Sequence, residues 1–304
     1  MNDTGDSTAI DWIEIVPGFT CNCRCRVCPS TSQPPGWMEP AEVERLLELA
    51  RARGAGGVWF GGGEPTLYPH LAQLLARARL MGFTRLRLQS NGLRLAYPAF
   101  SRALQVAGLT EVSFALMGAS AASHDHLTRR PGSFQLLQQG LANCRQLGLK
   151  LEADVLVTER SLPELARLIE RFHSRGIDGF TFWWTSLHGL PATEEQVALM
   201  PSFSRGIDYL VDAFRKAEQL GVRVASLHTP PCLLPERYRA YYRPASSYRL
   251  LVATPGGTPF PAEDSPMEGG VRTAACRSCS QVDHCLGARR DYLERFGEEE
   301  FSSI

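Results

Sequence analysis

Lysine is nearly missing from this chain. Lys150 and Lys216 are the only two, and arginine supplies the rest of the 32 basic residues. These are matched by 32 acidic residues, so the formal net charge is zero. With no surplus of positive charge to attract a polyanion, net charge gives nucleic acid no support as a general partner. No apolar run approaches the length needed to span a bilayer, so no membrane partner is expected. Residues Met1 to Asp11 are polar and lack the basic-then-apolar order of a secretory signal, so the expected compartment is the cytoplasm. A disulfide scaffold is not needed either. A chain of 304 residues with 44% apolar content can bury its own core. That size suits one large domain, or one domain with a small appendage. In a reducing compartment the nine cysteines then call for a metal or redox explanation.

Four of them crowd into eight residues, Cys21-Asn22-Cys23-Arg24-Cys25-Arg26-Val27-Cys28. Cys21, Cys25 and Cys28 give the spacing C-x3-C-x2-C. Soft thiolates on a tight loop suit iron–sulfur or zinc. A structural zinc would want a fourth protein ligand. Spacing alone leaves both open.

The rest of the chain alternates. Helical spacing of leucines predicts helices over 39–53, 71–81, 98–107, 134–147, 162–173 and 203–220. Short apolar runs predict strands at 11–15, 58–60, 84–89, 111–117, 149–157, 177–184 and 222–226. About six strand–helix alternations mean a parallel sheet with helices outside it. Loops leaving the C-terminal ends of such strands carry the site, whether the sheet is open or barrelled. The cysteine loop, Gly61 to Pro65, Gln89 to Asn91 and Ser113 to Gly118 all leave such ends.

After Thr229 the composition shifts to proline, arginine and tyrosine. A strand at 248–253 with a turn at Pro255-Gly256-Gly257 reads as a small hairpin, and 283–296 reads as mostly helical. This tail has no large apolar face and needs a staple. Cys232, Cys276, Cys279 and Cys285 are the candidates, the last three spaced C-x2-C-x5-C. Four thiolates can fully ligate a metal centre, zinc included, and would then supply much of the tail's folding free energy.

C-N-x-x-C-x-x-C followed by Gly62-Gly63-Glu64-Pro65 resembles the radical S-adenosylmethionine (radical SAM) superfamily. The tail is similar to the SPASM and twitch auxiliary-cluster regions found behind such barrels. The resemblance covers about Asp11 to Phe296. It implies an α/β fold, a partial (β/α)6 TIM-type barrel over residues 1–229, with a small Fe–S extension over 230–304. It implies that Cys21, Cys25 and Cys28 hold a 4Fe–4S cluster whose fourth iron is open to S-adenosyl-L-methionine, with Cys23 outside the ligand set. Gly62, Gly63, Glu64 and Pro65 would face the cofactor's methionyl end, and Ser113 matches a cofactor-contacting position. Gln89, Asn91 and Arg130 are further cofactor-binding candidates; the usual arginine register falls on Thr128, which leaves Arg129 or Arg130 to substitute. No side chain is assigned as a catalytic acid or base.

The full two-cluster pattern is absent. Ala262 stands where a cysteine is expected, and none follows Cys285. One auxiliary, fully ligated 4Fe–4S cluster is therefore expected on Cys232, Cys276, Cys279 and Cys285, closest to the twitch form.

In function, the resemblance implies a 5′-deoxyadenosyl radical that abstracts hydrogen from a substrate C–H. The first reading is oxidation or cross-linking of a ribosomally made peptide; the alternative is dehydrogenation of a small molecule such as an aminocyclitol. A third reading, from a different class, is a non-catalytic zinc-stapled binding protein. Expected partners are the substrate and an electron donor such as flavodoxin or ferredoxin. No separate leader-peptide-binding domain is read before the barrel, so a separate protein would supply one. Outside the motifs, Trp183, Trp184, His188 and His228 are candidates for a substrate pocket. Two adjacent tryptophans cannot both point inward from one strand. The tyrosines and arginines at 237–243 read either as a peptide or phosphate patch or as surface filler.

Overall fold

In the computed structural model, residues 9–190 and 193–304 are described. Residues 1–8, part of the stretch read as lacking a signal, lie outside that description. Seven strands run in sequence order: β1 (Trp12–Ile15), β2 (Gly57–Phe60), β3 (Arg85–Ser90), β4 (Glu111–Leu116), β5 (Lys150–Val157), β6 (Gly179–Trp184) and β7 (Arg223–Leu227). Each pairs in parallel with the next. The helices between and after them are α1 (Pro40–Ala52), α2 (Leu71–Leu80), α3 (Pro98–Ala107), α4 (Ala121–Thr128), α5 (Ser133–Gln146), α6 (Leu165–His173), α7 (Glu194–Leu199), α8 (Phe203–Leu220) and α9 (Arg290–Phe296). This is the expected partial barrel.

β8 (Leu250–Ala253) and β9 (Phe260–Pro261) form the expected hairpin. β8 also pairs in parallel with β1, register Trp12↔Leu250 to Ile15↔Ala253. The single sheet therefore runs β7-β6-β5-β4-β3-β2-β1-β8-β9, and the tail is tied to the barrel by backbone as well as by whatever its cysteines hold.

Parallel strands under helices are buried on both faces. In β5, Leu151, Ala153, Val155 and Val157 are buried in the core shared with α5 and α6. Between them Glu152 and Asp154 face the barrel axis. The same alternation sets Gln89 apart from Leu88 and Ser113 apart from Val112 and Phe114. The lumen is thus polar while the outer layer is not. At the N-terminal end of the barrel, buried Glu111 holds Arg85 (3.0 Å) and Arg87 (2.7 Å), and both guanidinium groups lie over the Trp12 ring.

Two readings are corrected and one element is added. The helix expected from 283 begins only at Arg290. Before it, Gly287 has φ +80° and Ala288 exchanges two backbone hydrogen bonds with Val271, a strand-like bridge incompatible with a helix. The stretch around His124 and Asp125, to which the sequence assigns no element, is α4. Ser120 caps it by accepting from Ser123 N–H, and Arg129 at φ 54° ends it. The tyrosines at 237–243 are not surface filler: Tyr238 is buried, and Tyr238 and Tyr241 pack on Phe214 of α8, while Arg237 and Arg243 stay exposed.

Candidate metal and cofactor site

The cysteine loop leaves β1 at the C-terminal end of the barrel. Its path is set by glycine. Gly62 has φ +96°, and a Cβ there would stand 2.4 Å from Val16 Cγ1. A Cβ on Gly63 would stand 2.5 Å from Thr20 O. Only glycine lets the loop after β2 lie this close under the cysteine loop. Gly63 N–H donates to Gly18 O (3.0 Å) and Glu64 N–H to Thr20 O (2.9 Å).

Glu64 is 1% exposed and acts as a pin. Its carboxylate accepts from Thr66 N–H (3.1 Å), Ser90 Oγ (2.8 Å) and Asn91 N–H (2.9 Å). Burial pushes its pKa up, and these donors pull against that. Pro65, also buried, opens the short 3-10 turn Pro65–Leu67 that follows. Asn91 Nδ2 reaches from the end of β3 to Asn22 Oδ1 (2.7 Å) and lies 3.9 Å from Cys21 Sγ and 3.7 Å from Cys23 Sγ.

On the other side, α4 holds the loop by its free carbonyls. Arg24 N–H donates to Thr128 O (3.3 Å), and Arg26 N–H to Leu127 O (2.9 Å). Arg26 Nε donates to His126 O (3.0 Å), and Arg130 donates to Asn22 O (2.7 Å). A space of about 690 Å³ opens over the loop, bordered by Cys21, Cys25, Cys28, Arg24 and Arg129. Cys23 is buried at 5%. The Cys21 thiol is held above its ordinary range, first by its hydrogen bond with Cys23 and then by burial.

Gln89 and Ser113 do not line this opening. Gln89 Nε2 (2.8 Å) and Ser113 Oγ (2.6 Å) both donate to Asp154 Oδ2, and Trp183 Nε1 donates to Asp154 Oδ1 (3.1 Å). Trp183 thus points into the barrel. Trp184 points out, donating to Pro201 O (2.9 Å) and packing on Phe203. Asp154 and Glu14 were missed because a lone acid in a strand reads as a solvent-facing position. The signal lay in β5 itself, where acids alternate with apolar residues in a strand that a parallel sheet covers on both sides.

In the tail, Cys232, Cys276, Cys279 and Cys285 border one small apolar pocket of about 20 Å³. Burial pushes the Cys232 thiol up, and the charges of Cys285, Cys279 and Cys276 add to it. Gly287 N–H donates to Cys285 Sγ (3.3 Å). Among the described residues, no three His, Cys, Asp or Glu side chains form a group able to hold a single metal ion. The donor chemistry fits thiolate-ligated iron–sulfur groups at both places. Cys144 is fully buried in α5. His188 lies exposed beyond β6.

Residues 15–158 match the family model of the Radical SAM superfamily. The chain is 28% identical over 162 residues to the AdoMet-dependent heme synthase of Methanosarcina barkeri, covering 53% of this chain and 46% of that one. It is 26% identical over 305 residues to mycofactocin maturase MftC of Mycobacterium tuberculosis, covering 88% and 75%. Among solved structures, SuiB of Streptococcus suis superposes with a TM-score of 0.70 at 17% identity, covering 98% of this chain and 77% of that one. The chain therefore spans less than half of one curated relative and three quarters of another.

Proposed function

We propose, from the premise that this chain carries a radical SAM superfamily domain, that it is an enzyme that uses S-adenosyl-L-methionine to oxidise or cross-link a ribosomally made peptide. The observation that carries this reading is the loop of Cys21, Cys25 and Cys28 clamped over the open end of a polar barrel. When bound, a 4Fe–4S cluster and S-adenosyl-L-methionine supply a 5′-deoxyadenosyl radical able to take hydrogen from an unactivated C–H; the difficult chemistry is theirs.

The chain's own part is placement. Cys21, Cys25 and Cys28 hold the cluster. Gly62 and Gly63 bring bare backbone beside it for the cofactor's methionyl end, and Glu64 and Pro65 fix that turn. Asn91 and Arg130 orient the cysteine loop from opposite sides, and Gln89 and Ser113 offer polar contacts to the ribose. Cys232, Cys276, Cys279 and Cys285 hold one auxiliary cluster, fully ligated, suited to electron transfer or structural support. Residues 1–229 form the barrel unit and 230–304 the twitch-like unit, the second docked on the first through β8. The peptide assignment is supported by the resemblance to MftC, named a maturase, and to SuiB, which has been crystallised with its precursor peptide SuiA. Flavodoxin or ferredoxin would reduce the cluster, and a separate protein would supply leader-peptide binding. No helix among the described residues is long and apolar enough to cross a membrane.

A small-molecule substrate is the second reading, supported by the heme synthase relatives. Anaerobic turnover with candidate short peptides, read by mass, separates the two. Loss of two hydrogens from a peptide supports the first reading. A peptide left unchanged while S-adenosyl-L-methionine is consumed on a small molecule replaces it with the second.

A further inference from the structure

A cavity of about 540 Å³ opens at the other end of the barrel. Trp12, Arg85, Lys150, Gly179 and Arg223, the first residues of β1, β3, β5, β6 and β7, line it. It therefore enters the lumen from the N-terminal ends of the strands, opposite the cysteine loop. The tail completes its wall. Tyr242 bridges to Ser226 of β7, Arg243 N–H donates to Ser226 O (3.0 Å), and β8 pairs with β1. Residues 242–250 thus join the two ends of the row of seven parallel strands. Arg243 and Tyr248 of this stretch line the cavity.

Positive charge is in excess at this mouth. Glu111 alone holds Arg85 (3.0 Å), Arg87 (2.7 Å) and Lys150 (3.7 Å). Glu152 holds Lys150 (2.7 Å) and Arg223 (2.8 Å). Two carboxylates thus serve four cations. The fifth cation, Arg243, forms no ion pair among the described residues. The next acids are Asp178, which acts on Arg223, and Asp154, on which Arg87 acts. Neither makes an ion pair here, and Asp154 is already served by Gln89, Ser113 and Trp183. Burial raises Glu111 and Glu152, yet the arginines and Lys150 around them hold both below the ordinary carboxylate range.

The donors are also held in place. The Arg85 guanidinium lies 4.1 Å over the Trp12 ring and that of Arg87 5.2 Å over the Trp59 ring. Glu111 braces both, so little ordering is left for a ligand to impose. Trp59 lines the cavity, is 7% exposed, and its Nε1–H has no hydrogen-bond partner. A concave wall of fixed guanidinium groups with an unmet N–H suits an oxyanion. At its inner end the cavity reaches Thr181 and Ala225, which share a register with Asp154. Arg87 and Gln89 are two residues apart in β3, about 7 Å along the strand. A group held by Arg87 therefore sits one layer away from the polar side chains offered to the cofactor.

We propose that this cavity is a recognition site for an oxyanion carried by the substrate, a carboxylate or a phosphate. Arg243, Arg223 and Lys150 take its charge, and Arg87 and Trp59 line its inner side. The inference rests on the reading above that the chain is an enzyme whose substrate lies in the barrel. For a peptide substrate it means an acidic side chain near the reacting residue.

The test is calorimetric titration of the reconstituted protein with S-adenosyl-L-methionine bound. The probes are acetyl-Gly-Glu-Gly-amide, its uncharged counterpart acetyl-Gly-Gln-Gly-amide, and inorganic phosphate. The wild type is expected to bind the glutamate peptide about tenfold or more tightly than the glutamine peptide, a difference of about 1.4 kcal/mol. Arg243→Gln and Arg223→Gln are each expected to shrink that preference to less than about threefold. Arg215→Gln, on α8 and outside the cavity, is expected to keep it. All three arginines are exposed, so none of these changes opens the core. Phosphate binding that both cavity variants weaken, with no preference between the peptides, assigns the oxyanion to a phosphate. Equal binding of both peptides with no phosphate binding overturns the inference. So does a preference that both cavity variants keep, or one that Arg215→Gln also removes. Formation of 5′-deoxyadenosine by the wild type is measured alongside. Cleavage of S-adenosyl-L-methionine without oxyanion binding sinks this inference alone, whereas oxyanion binding without cleavage sinks the enzyme reading beneath it.

Discussion

At the scale of single residues, two carboxylates, Glu64 and Glu14, do opposite work. Glu64 is fully served by donors from Thr66, Ser90 and Asn91 and ties three loops together. Replacing it by alanine strands those donors, and Glu64→Ala is expected to cost about 3 kcal/mol in urea unfolding. Glu14 is served by nothing, and burial lifts its pKa from 4.5 to about 7. A carboxyl raised in the folded state contributes stability that is present below pH 4.5 and lost as pH rises through about 7. Melting curves of wild type and Glu14→Gln between pH 5 and 8 check the sign. The variant is expected to gain on the wild type as pH rises, and a constant difference would contradict the assignment. Neither role was legible from the sequence in the same degree. Glu64 stood in a motif that announced it. Glu14 sat in a four-residue strand with no pattern long enough to reveal that its polar side faces a lumen.

At the scale of elements, helices with apolar stripes were legible and those without were not. α8 begins and ends where the leucine spacing put it, at Phe203 and Leu220. α4, sequence AASHDHLT, presents no stripe, and its turn-forming Ser120 and left-handed Arg129 act only in three dimensions. Yet α4 positions the cysteine loop through Thr128 O, Leu127 O and Arg130. Arg130→Ala is expected to speed iron loss to a chelator while lowering stability by less than about 1 kcal/mol. Unchanged iron loss would mean that Arg130 does not hold the loop. Packing between elements gives a second test. A Cβ on Gly206, inside α8, would meet Trp184 Cη2 at 2.5 Å. Overpacking costs about 1–3 kcal/mol, against about 1 kcal/mol gained in helix propensity. Gly206→Ala should therefore lower the melting temperature, and a rise would show that Trp184 yields freely.

At the scale of the whole molecule, the barrel and its tail share one sheet. The tail's hairpin was read correctly from Pro255-Gly256-Gly257, but its partner was not, because a parallel pairing of Leu250 with Trp12 is 238 residues distant and leaves no local trace. The tight cysteine runs needed no such long-range information, since spacing alone groups Cys21, Cys25 and Cys28, and Cys276, Cys279 and Cys285; Cys232, far upstream, meets the second run in the fold, where all four border one pocket. Docking through β8 predicts that removing the tail's thiols, as in Cys276→Ala with Cys279→Ala, loosens residues 265–289 more than β8. Hydrogen exchange is expected to show faster exchange at Val271 and Ala288 with β8 still protected. Equal loss in both would mean that the cysteines, and not the strand pairing, hold the tail.

The account depends most on a cysteine loop that presents an open iron to a sulfonium cofactor. The direct measurement is formation of 5′-deoxyadenosine from S-adenosyl-L-methionine by anaerobically reconstituted, chemically reduced protein, beside a Cys25→Ala variant. The account predicts formation by the wild type and none by the variant. A wild type that holds its iron and sulfide yet forms no 5′-deoxyadenosine, or a variant that forms as much, would contradict it.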